Sequence, residues 1–164
     1  MGKDQKTDNN APHPGFELGY VLKQAQHALR KRMDEGLRPL GLTVPQYAAL
    51  TALELTPGAS NAQLARKAFI TPQSMQGILV NLEKSGLIIR TQHPDHGRIQ
   101  QTTLTERGTD ITSEAHDIVK GIEQILGKAV HPLDYNEIVS MLERCRDHLE
   151  GLTRTGVPVK QPSV

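Results

Sequence analysis

The chain has 164 residues, enough for one domain with a sizeable core, or for a compact domain with helices that a partner must complete, and too few for two full domains. Its 19 Lys and Arg against 18 Asp and Glu leave a formal charge of +1, so any affinity for nucleic acid must come from a local patch. A lone cysteine, Cys145, excludes an intrachain disulfide framework, and two Phe, three Tyr and no Trp supply poor platforms for stacking single-stranded bases, which favours duplex over single strands.

No apolar run approaches the roughly 20 residues of a bilayer span. The N-terminus lacks the charged-then-apolar pattern of a secretory signal, and Lys6 stands where a myristoylation signal wants Ser or Thr. A cytoplasmic location is the expectation.

In chain order, residues 1–14 are polar, carry two prolines and have no period, which predicts a disordered tail. Leu18, Leu22, Ala25, Leu29 and Met33 then recur at helical steps and predict a first helix over about 16–38. Thr43 with Gln46 reads as a capping box that opens a second helix, closed by Pro57-Gly58; Ser60 with Gln63 opens a short third. Thr71-Pro72 supplies an N-cap and a proline at the first helical position, so a fourth helix starts there and stops near Ser85-Gly86.

Leu87–Gln92 and Ile99–Leu104 are rich in Ile, Thr and Gln and flank the tip 93–98, the pattern of a two-stranded hairpin with a flexible loop. Thr105 caps a fifth helix with an apolar line through Ile111, Ala115, Ile118, Ile122, Ile125 and Ala129. His131-Pro132 ends it, and Ile138, Leu142, Cys145, Leu149 and Leu152 predict a sixth, with residues 153–164 a flexible tail. The fold class expected is mainly α with a small β-hairpin. It is a winged helix-turn-helix over about 43–104 within a domain spanning 15–152, with helical dimerisation segments on either side.

Helices three and four, separated by Phe69-Ile70, make a helix-turn-helix whose second helix can lie in a major groove. With Met75, Ile78, Leu79 and Leu82 inward, a step of about 100° per residue leaves Gln73, Ser74, Gln76, Gly77, Val80, Asn81 and Lys84 outward. Gln and Asn can bond adenine bidentately, Ser can donate or accept, and Gly77 lets the groove wall approach. A merely solvated helix face would look similar, and the neighbouring hairpin tips the balance.

Arg90 and Arg98 bracket that hairpin with His93 and His96 between them, a cationic loop able to reach phosphates or a minor groove. The Thr71 and Ser74 hydroxyls, Arg66 and Lys67 are further phosphate candidates. His93 and His96 can be read as metal ligands, but a loop without Cys or further His nearby favours a solvated wing and no metal. Cys145 shares a stripe with Leu142 and Leu149 and reads as buried packing rather than a redox switch. No phosphate-cradling glycine loop, nucleophile elbow or opposed carboxylates are present, so no enzyme, catalytic residue or cofactor is expected.

The order of elements, with LTVPQYAALTAL, TPQSMQGILVNLEKSGLI and HPDHGRIQQTTLTERG, resembles the MarR family of bacterial regulators over about residues 16–152. The resemblance implies a homodimer joined through the first, fifth and sixth helices. It also implies two winged lobes that read a palindromic operator in double-stranded DNA, and a ligand pocket between dimer helices and lobe, commonly for phenolic or aromatic acids. His27, Arg30 and Tyr47 are the lining candidates, since a cation and a phenol can fix a carboxylate.

The sequence departs from the family pattern at Gly97 and His96, where an arginine and an acidic residue are usual, and at Gly77 and Asn81, where arginine is frequent. A transcriptional repressor released by its ligand is the reading these features favour. The alternatives are a winged-helix module that binds protein and a DNA-binding protein without effector.

Overall fold

The computed structural model describes residues 17–92 and 100–155. Helices α1 (Glu17–Leu37), α2 (Val44–Leu55), α3 (Asn61–Lys67) and α4 (Pro72–Lys84) are followed by strands β1 (Ile88–Gln92) and β2 (Gln100–Leu104), then by α5 (Glu106–Val130) and α6 (Tyr135–Thr155). The chain divides into two units, the first ending at Lys120 and the second beginning at Gly121.

The helix starts are set by side chains that satisfy the free donors of a first turn. Thr43 accepts from Gln46 N while the Gln46 side chain accepts from Thr43 N, and Ser60 and Gln63 repeat the arrangement, so both predicted capping boxes are present. Thr71 accepts from Ser74 N at 3.1 Å and caps α4, and Thr105 accepts from Gly108 N at 2.9 Å and caps α5. Asp134, which periodicity did not single out, caps α6 by accepting from Asn136 N and Glu137 N at 2.7 and 3.1 Å. That helix continues to Thr155, so the expected tail at 153 begins too early: three further residues extend the helix.

The core of the first unit gathers Leu37, Leu42, Leu50, Leu53, Leu64, Met75, Leu79, Leu82 and Ile88 with Ala115, all essentially buried. Each such leucine withdrawn from water is worth about 1.5–3 kcal/mol, and the stripe on α4 thereby fixes which of its faces remains outside. β1 and β2 pair antiparallel with Ile88 opposite Leu104 and Gln92 opposite Gln100, a wing-like ribbon whose base enters this core.

In the second unit the balance is reversed. No residue of α6 through Gly151 is buried, while Leu133, Tyr135, Met141, Leu142 and Leu149 are each more than 40% exposed. Cys145 is half-buried within the chain, not enclosed as its stripe predicts, and Leu142 and Leu149 on that stripe are exposed. No helix is long and apolar enough to cross a membrane among the described residues.

Candidate nucleic-acid interface

α3 and α4 meet through a tight turn closed by backbone alone, with Ile70 N donating to Ala65 O at 3.0 Å. Asn61, at the start of α3, donates from Nδ2 to Pro72 O at 3.0 Å and ties the two helix starts together. Along α4, Met75, Leu79 and Leu82 are buried and Ile78 is half-buried, whereas Gln73, Ser74, Gln76, Gly77, Asn81 and Lys84 are exposed. The rotation inferred from a helical repeat is therefore observed, except that Val80, expected outward, is half-buried. A Cβ added at Gly77 would meet nothing within 4 Å, so the smallest residue of this face opens onto free space.

Thr71 and Ser74, both expected to meet phosphate, are bonded to one another: Thr71 Oγ1 donates to Ser74 Oγ at 2.9 Å. The serine hydroxyl keeps its own proton to donate outward. Lys84 and, before the turn, Arg66 and Lys67 stand exposed.

Arg90 departs from its expected role. Its Nε donates to Glu83 Oε2 at 2.8 Å, its Nη2 reaches the same oxygen, and its side chain is only 13% exposed. The guanidinium holds the Glu83 carboxyl below the ordinary carboxylate range, first by the hydrogen bond itself. In this arrangement Arg90 ties β1 to the last turn of α4. His93, His96 and Arg98 lie outside the described residues.

Two further anchors hold the same junction. Gly86, at φ 68°, adopts the left-handed turn that ends α4, and its carbonyl accepts from Thr105 Oγ1 at 2.8 Å. Arg107 Nη1 donates to Ser85 O at 2.8 Å, so the first turn of α5 caps the C-terminal end of α4. Sequence did not give the partners of Glu83 and Arg107, which lie 7 and 22 residues away.

The expected ligand residues separate into two places. His27 and Arg30 line an open concavity of about 570 Å³ on α1 with Gln26, Lys31, Asp34, Glu35 and Arg38. Tyr47 does not line it and is engaged on α2, where its hydroxyl meets His116 Nδ1 at 2.8 Å, while His116 Nε2 meets Glu54 Oε2 at 2.7 Å. His116 and Glu54 were missed because only the packing of α5 on α2 joins residues 62 apart.

Comparison with known proteins agrees with this geometry. The model of the MarR family matches residues 40–99. The HTH-type transcriptional repressor Rv2887 of Mycobacterium tuberculosis is 37% identical over 128 residues, covering 77% of this chain and 91% of the relative. The crystal structure of that protein with salicylic acid aligns with a TM-score of 0.64 at 34% identity, over 84% of this chain and 98% of that one. The transcriptional repressor CouR, known from Rhodococcus jostii and solved on a 23-mer DNA duplex, aligns with a TM-score of 0.75 at 26% identity, over 83% and 99% of the two chains. The capped helix-turn-helix, the clamped wing and the extent of these matches lead to one conclusion: the chain belongs to the MarR family of DNA-binding transcriptional regulators.

Proposed function

We propose that this protein is a transcriptional repressor that binds a palindromic operator as a homodimer and leaves it when a small aromatic acid binds. The observation that carries the reading is the outward face of α4: polar, charged only at Lys84, fixed in rotation by the buried Met75, Leu79 and Leu82 and followed directly by a ribbon clamped to the same helix. Such a face is built to read base edges rather than to supply bulk charge. Gln73, Gln76 and Asn81 meet bases and Gly77 admits the groove wall. Thr71, Ser74 and Lys84 take phosphates, and His93, His96 and Arg98 act from the wing.

α1, α5 and α6 form the dimer interface, which covers the exposed apolar residues of α6. The effector proposal draws on the salicylic acid bound by the Rv2887 relative. His27 and Arg30 offer cations to a carboxylate, and a ligand that favours a dimer whose recognition helices no longer sit about 34 Å apart releases DNA. The setting is the bacterial cytosol.

Fluorescence anisotropy on the duplex upstream of the protein's own coding region, at several salt concentrations, tests this reading. Binding should weaken steeply with salt. Gln76→Ala should cost about 1–3 kcal/mol on that duplex and far less on a random one, while Arg98→Ala should weaken both and lower the salt slope by about one. Salicylic acid should displace the preformed complex. Absence of salt-sensitive binding to any duplex would identify a protein-binding module instead, and stable binding in the presence of the acid would remove the switch.

A further inference from the structure

We propose that Phe69 is a DNA-contacting residue, its ring packing on the deoxyribose edge of the strand whose phosphates Arg66 and Lys67 neutralise. This rests on the DNA-binding reading above. Phe69 lies in the turn between α3 and α4, two residues before the cap Thr71. Its φ of 54° makes it the one non-glycine residue with positive φ among the described residues, and at 84% it is also the most exposed large hydrophobic side chain among them.

Both properties oppose folding: the left-handed region penalises a Cβ, and an apolar ring left in water gains nothing from burial. Glycine meets the same backbone requirement without either cost. The turn does not need the ring, because it is closed by Phe69 N to Arg66 O at 3.3 Å and Ile70 N to Ala65 O at 3.0 Å, which any residue can supply. A residue that the free fold does not require is explained by what it meets when bound.

Its surroundings identify that occupant. Arg66 and Lys67 immediately precede the turn and are exposed, and Thr71, Pro72 and Gln73 at the exposed start of α4 follow it. An apolar ring beside two cations complements a surface that alternates negative charge with apolar C–H faces at a spacing of a few ångströms. The phosphates and sugars along the rim of a major groove are such a surface.

The test compares full-length wild type, Phe69→Ala, Phe69→Gly and Arg66→Ala by anisotropy on the labelled upstream duplex across a salt series, with thermal melts of each protein. Both Phe69 variants should bind about five- to tenfold more weakly at every salt concentration with an unchanged slope, since an apolar contact releases no counterion. Arg66→Ala should instead reduce the slope by about one. Phe69→Gly should melt about 2–4 °C higher than wild type while binding worse, which damage to the fold cannot produce.

Wild-type affinity in both Phe69 variants, or a loss confined to Phe69→Gly, would overturn the proposal. If the wild type itself binds neither the upstream nor a random duplex, the DNA-binding reading falls, and this proposal with it.

Discussion

Among the described glycines, Gly108 has no room for a side chain. A Cβ at this position would stand 1.9 Å from Leu87 O, a backbone atom that cannot swing aside, where the first turn of α5 crosses the start of the wing. Gly108→Ala should therefore force the helix away from the strand and destabilise the protein by about 3 kcal/mol or more, as burying a clash against backbone does. Urea denaturation checks this, and a loss below about 1 kcal/mol would mean that the junction is far softer than its geometry. Sequence alone shows Gly108 as part of the family-like motif after the wing and as a glycine in a helix, normally a mild defect, with no hint of what it meets. Its necessity comes from a neighbour 21 residues away.

At the scale of elements, the junction of α4 with β1 depends on the Glu83–Arg90 pair. Because the arginine lowers the Glu83 pKa in the folded state below its ordinary 4.5, the pair adds stability at pH values above that range. The contribution is lost as pH falls through the depressed folded value. Glu83→Gln should thus be less stable than wild type at neutral pH, with the difference closing in acid below about pH 4. Melts from pH 3 to 8 measure it, and a gap that persists unchanged at pH 3 would assign the effect to packing. The predicted boundaries of α2, α3 and α4 match the structure because each start carries its own cap within three residues. The clamp between elements has no such local signature.

For the molecule as a whole, the question is what covers α6. A 21-residue helix without a buried side chain through Gly151 and with Met141, Leu142 and Leu149 in water does not account for its own composition. A second copy does. Leu142→Glu should leave the first unit folded, shift the protein to monomer in sedimentation equilibrium at micromolar concentration, and weaken duplex binding about a hundredfold or more as the second lobe's contribution vanishes. A dimer of unchanged affinity would place the interface elsewhere.

Sequence by itself determined the elements and the orientation of the recognition face, since caps, helical period and turn residues act over four residues or fewer. The MarR resemblance was legible for the same reason: its motifs are runs of neighbours along α2, α4 and the wing. Only the tertiary structure decided that Arg90 pairs with Glu83, that Tyr47 belongs with His116 and Glu54 and apart from His27 and Arg30, and that Gly108 admits no side chain. Each of these depends on which distant carboxylate, ring or carbonyl the fold brings within hydrogen-bonding or contact range. Distances of that kind are created by packing and have no period along the chain.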